Sequence, residues 1–232
     1  MAGKRLMQYF KYFGSKFRTA PYYPKPLYQS IIEPFAGSAS YSTLYWWYNI
    51  HLNDIDPCVS GLWNWLIQAD PNDIISIPTD MPTLSHLSTH MTAYQAELCR
   101  RWQRVGNNTS FTVSSWNGRA GMWNARTRQH IADQLINIRH WSVSSLSYQS
   151  LENNLSTWFV DPPYVGFREY EYNVINYKQL AEWCRTRRGQ VIVCEQEGAD
   201  WLPFKPFRRI VSSCHAKFSN EVYCEIIDGV IQ

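Results

Sequence analysis

Thr157-Trp158-Phe159-Val160-Asp161-Pro162-Pro163-Tyr164 is the stretch on which the reading of this chain turns. Thr157 to Val160 is a short apolar run, the pattern of a buried strand. An acid, two prolines and an aromatic follow at the strand's end. The prolines fix the backbone, so a carbonyl and the Asp161 carboxylate can point the same way. The Tyr164 ring offers a face on which a planar group can stack. An acceptor pair beside a stacking platform suits a flat ring bearing an exocyclic NH2, a nucleobase. A plain Pro-Pro turn is the alternative. At average composition this tetrapeptide arises by chance on the order of 10⁻³ times in such a chain, which favours the chemical reading.

Working outward, the same kind of unit recurs. Ser30 to Glu33 reads as a buried strand, and Pro34 to Ser40 as a small-residue turn. Tyr41 to Tyr48 reads as an aromatic helical run. Ile50 to Asn53 is a second strand, closed by Asp54. Val59, Leu62, Trp63, Leu66 and Ile67 set a helix over 59–68. Strand–turn–helix–strand predicts a parallel α/β unit. From Asp70 to about Gly121, Pro71, Pro78 and Pro82 interrupt the pattern, with a helix over 92–105 inside it. Alternation resumes with a helix over 127–138, a strand over 141–144, a short helix near Leu151, a helix over 177–187 and a strand over 190–194. Arg209 to Ser213 and Glu221 to Ile227 predict a terminal antiparallel pair. The chain reads as an α/β core with an insertion between its second and third strands.

Composition narrows the class. At 232 residues the chain is long enough for one large domain with a sizeable core. Its net charge of +3 advertises no global attraction to nucleic acid, so any such signal must be local. From Glu97 to His140 it is: seven arginines stand against two acids, interleaved with Trp102, Trp116 and Trp123. Arginine suits phosphate oxygens and guanine edges, although charge runs are usually solvated helix faces. The six cysteines have no C-x-x-C spacing, so no zinc site is expected, and Cys194 and Cys224 sit in apolar runs as small hydrophobes. His86 and His90 lie four apart without the glutamate of H-E-x-x-H, and are expected to be satisfied surface histidines rather than a metal pair. No apolar segment reaches bilayer length and the start lacks a signal-peptide stretch, so a reducing cytoplasm is expected.

Asp54 ends the second strand about twenty residues after Glu33, where an acid can accept from ribose hydroxyls. It serves equally well as a helix cap before Asp56 and Pro57. Small residues in the Glu33–Ser40 turn let a ligand approach the backbone.

Together, Glu33-Pro34-Phe35-Ala36-Gly37, Asp54 and Asp161-Pro162-Pro163-Tyr164 resemble the Dam-like N6-adenine DNA methyltransferases. Tyr12-Phe13-Gly14-Ser15-Lys16 is similar to that family's N-terminal Gly-Gly-Lys motif. Ala125 to Arg128, Gly189 to Glu195 and Trp201 to Phe204 look closest to small phage and prophage members. The likeness spans nearly the whole chain and is weakest over 70–119. Two positions depart from the pattern: the family's second glycine is Ala39, and Gly-Gly-Lys is Gly14-Ser15-Lys16. Both keep small side chains.

The resemblance implies a Rossmann-like, mostly parallel α/β sheet with a terminal antiparallel strand. The catalytic core is then 1–69 and 122–232, and 70–121 is an inserted target-recognition region. It implies S-adenosylmethionine as cofactor, held by Tyr12, Gly14, Lys16, Glu33, Phe35, Gly37, Ser38, Asp54, Ile55 and Asp161, with no metal. Asp161, Pro162, Pro163 and Tyr164 are the catalytic residues; Phe167 or Tyr170 would supply a second wall. Arg100, Arg101, Arg104, Arg119, Arg126 and Arg128 are the expected contacts to double-stranded DNA. Methylation of cytosine N4 or RNA adenine, and a catalytically silent DNA-binding relative, stay open at this stage.

Overall fold

Among the described residues eight strands build one open sheet: β1 (Ser30–Glu33), β2 (Asn49–Asn53), β3 (Ser142–Ser144), β4 (Ser156–Val160), β5 (Gly189–Gln196), β6 (Lys205–Val211), β7 (Phe218–Ile227) and β8 (Val230–Ile231). The computed structural model describes residues 5–103, 110–115, 117–166, 175–211 and 218–232; for 210, 211, 218 and 219 it describes the backbone. The strand order is β3-β2-β1-β4-β5-β7-β6, with β8 on β7. β1 pairs in parallel with both β2 and β4, and β4 in parallel with β5. β7 runs antiparallel to β5 and to β6. This is a mixed α/β fold.

The burial of the central strands follows from their composition. All five residues of β4 are buried, as are the first seven of β5. Such continuous apolar runs belong to strands covered on both faces. Gly189 opens β5 opposite Ser156 with φ +99°; a Cβ there would lie 2.3 Å from the Ser156 carbonyl oxygen. Glycine is therefore what lets β5 start in register with β4.

The helices are α1 (Pro57–Gln68), α2 (Pro71–Ile75), α3 (Ala93–Gln103), α4 (Ala125–Gln134) and α5 (Tyr177–Thr186). α1 buries Val59, Leu62, Trp63, Leu66 and Ile67, the face its spacing predicts. α2 was not expected. It starts on a capping box between Asp70 and Asp73, with Pro71 in its first turn. Asn124 and Asn176 cap α4 and α5 by accepting from Thr127 N and Gln179 N. Among the described residues no helix is long and apolar enough to cross a membrane.

One expected helix is absent. Residues 41–48 form turns, with mixed bonds from Thr43 N to Ala39 O, Leu44 N to Tyr41 O and Tyr45 N to Ser42 O. Aromatic and Ser/Thr residues form helices weakly. Here the rings pack instead: Tyr41 on Tyr45 at 4.9 Å, while the Trp46 carbonyl accepts from Trp141 Nε1 at 3.1 Å. The helix expected over 127–138 is also shorter, because α4 gives way to a 3-10 turn at Leu135–Ile138.

The chain divides into two compact units. The first comprises Met1–Pro21, Gly37–Trp47 and Pro57–Val143; the second comprises Tyr22–Ala36, Tyr48–Asp56 and Ser144–Gln232. Trp63 centres the first unit's core, 5.5 Å from Tyr9, 5.1 Å from Phe10 and 5.8 Å from Trp141. In the second, Ile32, Trp158, Val160, Val191 and Val193 of the sheet pack with Leu180 and Trp183 of α5.

Gly189→Ala should cost about 3 kcal/mol or more, adding overpacking to backbone strain. Gly198→Ala, at φ +97° with open space around it, should cost only about 1 kcal/mol of strain. Urea denaturation of both variants measures the difference, and equal losses would show that the β4–β5 contact is not what demands glycine.

Candidate functional site

The second unit's parallel strands end in acids. Glu33 is the last residue of β1; Asp54 follows β2, Asp161 follows β4, and Glu195 is the penultimate residue of β5. The register keeps these ends level: Glu33 lies opposite Leu52, and Val160 opposite Val193. The strand order reverses between β1 and β4, since β2 lies on one side of β1 and β4 on the other. Ligands of open α/β sheets bind outside the carboxyl ends of the strands at such a switch point. Glu33 and Asp161 flank it.

The Asp161–Tyr164 segment is held on both sides. The Tyr177 hydroxyl donates to Pro163 O at 2.7 Å. Val165 N donates to Glu195 Oε2 at 3.4 Å, and Gln196 Nε2 donates to Val165 O at 2.9 Å. The Pro163 carbonyl is thereby engaged by Tyr177. Burial drives the Tyr164 hydroxyl's pKa well up, and the charges of Asp161 and Glu221 raise it further. Tyr164 is thus a neutral phenol at any physiological pH, which suits a stacking platform rather than a base.

Four residues here were missed from the sequence: Glu195, Tyr177, Tyr23 and Glu221. Glu195 is fully buried and accepts from Gln196 N at 2.9 Å and Trp201 Nε1 at 3.1 Å. Burial raises its pKa; those N–H groups pull it back, and Asp161 raises it again. Its signal was readable, because it ends an apolar strand just as Asp161 does. Tyr23 donates to Glu221 Oε2 at 3.1 Å across 198 residues of sequence, a pairing no local pattern announces.

Asn53 anchors the loops around these acids. It is fully buried and makes four side-chain bonds: Nδ2 donates to Pro34 O and Leu146 O, each at 3.0 Å, while Oδ1 accepts from Ser144 Oγ at 2.7 Å and Leu146 N at 2.9 Å. Its carbonyl also accepts from Ala36 N at 2.9 Å. The turn after β1 and the loop after β3 are thereby fixed to the end of β2. Asp54 Oδ1 accepts from Asp56 N at 3.0 Å, so one carboxylate oxygen serves the turn into α1. Ile55 beside it is 47% exposed, an apolar side chain left in solvent. Phe35 packs on Tyr148 at 5.5 Å and joins the sheet core.

The first unit collects the remaining residues expected at the cofactor. Gly37 has φ +45°, and a Cβ on it would fall 2.8 Å from the Tyr12 ring. Lys16 is buried and donates from Nζ to Gly14 O at 2.9 Å. Ser38 Oγ lies 2.9 Å from Ser15 Oγ and 3.2 Å from Ser40 Oγ, and Gln8 Nε2 donates to Ser15 Oγ at 2.7 Å. The departure at Ser15 is thus taken up in a serine cluster. The departure at Ala39 has a backbone cost, because Ala39 sits at φ +48° where glycine would be relaxed.

The arginines expected at DNA have differing surroundings. Arg100 is buried, forms a bidentate pair with Glu97 and lies over Phe111 at 4.8 Å. Arg101 Nε meets the same Glu97 at 2.8 Å. Arg128 Nη1 donates to Ile77 O at 2.8 Å, and Arg139 donates to Ile67 O and Ala69 O at the end of α1. These groups bond within the first unit. Arg119 and Arg126 are exposed; Arg104 lies outside the described residues. Trp102 and Trp123 are buried and donate to Tyr9 O and Pro78 O, so they are core and not base-stacking rings. Trp116, Phe167 and Tyr170 lie outside the described residues. His90 Nε2 lies 2.8 Å from Ser85 Oγ and His86 Nδ1 lies 2.6 Å from Ser88 Oγ.

No family model and no curated protein matches the chain.

Asn53→Ala should lower stability by about 3 kcal/mol through buried groups left unsatisfied. Asn53→Asp should cost as much, since a carboxylate cannot donate to Pro34 O and Leu146 O. Thermal unfolding of both variants tests this, and a stable aspartate variant would refute Asn53 as the donor between the loops.

Proposed function

We propose that the chain is an S-adenosylmethionine-dependent methyltransferase with a Rossmann-like core that modifies adenine N6 in DNA, a solitary phage-type enzyme acting in the bacterial cytoplasm. The observation that carries the reading is Asp161-Pro162-Pro163-Tyr164 leaving the carboxyl end of β4 beside the β1–β4 switch point. Three parallel pairings, β1 with β2 and β4, and β4 with β5, next to an antiparallel β7 are compatible with it.

The residues at this edge fit the cofactor. Glu33 and Asp54 place carboxylates at the ends of β1 and β2, where ribose hydroxyls and an amino group find acceptors. Exposed Ile55 offers an apolar surface to a purine face. When bound, S-adenosylmethionine supplies an activated methyl group, so no metal or oxidant enters the scheme.

The protein's task is the acceptor amine, whose lone pair is delocalised into the adenine ring. Asp161 and the Pro162 carbonyl would accept hydrogen bonds from its two N–H groups and localise that pair on nitrogen, and the one proton that N6 loses on methylation would leave by way of the Asp161 carboxylate to solvent. The hydrogen bonds at Pro163 and Val165 hold the two acceptors in place beforehand, which is where positioning lowers the barrier. The base has to leave the duplex stack, and Tyr164 receives its face.

Incubation with methyl-labelled cofactor and unmethylated duplex DNA, single-stranded DNA or RNA, followed by nucleoside analysis, tests the reading. Label in N6-methyldeoxyadenosine is the expected result; label in cytosine, in RNA alone or nowhere would contradict it. Asp161→Ala should slow transfer at least ~10²-fold, the equivalent of about 3 kcal/mol.

A further inference from the structure

The second unit carries a basic edge. β6 is the outermost strand beside β7, and Lys205, Arg208 and Arg209, three cations in five residues, are all exposed on it. The Arg208 guanidinium lies 3.7 Å over the ring of Tyr22, which is itself 56% exposed. The next aromatic layer leads inward: Phe207 stacks on Tyr23 at 4.1 Å, and Tyr23 donates to Glu221. The Tyr23 hydroxyl's pKa is pushed up by burial and by the neighbouring Cys194, Tyr164, Glu221 and Asp161.

The register places this edge level with the candidate site. Val160 pairs with Val193, so Asp161 is level with Cys194; Cys194 pairs with Tyr223, and Tyr223 with Lys205. Gln196 pairs with Glu221, and Glu221 with Arg208. Lys205 is therefore level with Asp161, and Arg208 and Arg209 lie further along β6 toward the carboxyl edge. Three inter-strand steps separate β4 from β6, about 14 Å at ~4.8 Å each. That is less than half of one ~34 Å duplex turn.

We propose that Lys205, Arg208 and Arg209, with Tyr22, form the surface that grips nucleic-acid phosphates beside the Asp161–Tyr164 site. Cations on an edge strand also guard against strand addition. Two features go beyond that role. Arg208 is already seated on an exposed ring, an arrangement that serves phosphate and base together. The edge is also continuous through Tyr23 with the acidic site, which repels phosphate and so leaves the backbone to the basic rim while the base enters. The arginines at 100, 101, 128 and 139 bond within the first unit.

The location of the base pocket rests on the methyl-transfer reading; the phosphate surface is measured without cofactor. Duplex affinity is followed by fluorescence anisotropy over a salt series. A Lys205→Ala, Arg208→Ala, Arg209→Ala triple variant should bind more weakly and flatten the log–log salt slope by up to about 2.7, at roughly 0.9 per phosphate contact. Tyr22→Ala should weaken binding with little change of slope. An Arg119→Ala, Arg126→Ala pair should bind like the wild type. Circular dichroism and thermal unfolding confirm that each variant is folded. A folded triple variant with wild-type affinity and slope overturns the proposal, as does a slope carried by Arg119 and Arg126. A wild-type dimer that the triple variant abolishes, with duplex binding unchanged, also overturns it and makes β6 a self-association edge. Loss of slope in the triple variant of a protein that transfers no methyl group supports this surface while defeating the catalytic reading.

Discussion

The parallel register of β1, β4 and β5 is the constraint on which the candidate site depends. Side chains alternate along a strand, so a slip of one residue would turn Asp161 or Glu195 to the opposite face. Gly189 fixes the β4–β5 part of that register, because any side chain there meets the Ser156 carbonyl. Thr157 Oγ1 then bonds to Gln190 Oε1 at 2.9 Å, and both accept from Leu27 N. A polar contact in an otherwise apolar sheet discriminates strongly between registers, since a slipped pairing would leave these groups buried and unsatisfied.

Polar satisfaction then shapes the loops. Asn53 joins the turns after β1 and β3, and Glu195, Gln196 and Tyr177 bind the chain around Asp161–Tyr164. The acids that end the strands are costly to bury, and each extra N–H donor offsets part of that cost. Glu195 shows the balance: burial raises its pKa while three N–H donors lower it.

Periodicity and strand-end chemistry made much of this legible. The runs before Glu33, Asp54 and Asp161 are apolar and short, and they became β1, β2 and β4. The α1 face was readable for the same reason. The aromatic run 41–48 misled because ring burial overrode helical spacing. α2 was overlooked although Asp70-Pro71-Asn72-Asp73 carries the signs of a helix start. The arginine count over 97–140 left their surroundings unread, because composition cannot tell a solvated guanidinium from one that closes a buried pair with Glu97 or caps α1. The β6 edge went unnoticed because its strength lies in cross-strand register and in the Tyr22–Arg208 stack, neither of which sequence spacing encodes.

The acids at the carboxyl edge flank a strand-order reversal, with the exposed Ile55 beside Asp54, and the proposed cofactor would bind there. The account stands or falls on that ligand. Isothermal titration of the unmodified protein with S-adenosylmethionine is the most direct measurement. It should show saturable one-site binding that weakens when Asp54 is replaced by alanine. Absence of binding by the folded protein, or identical binding by the Asp54→Ala variant, would contradict the account.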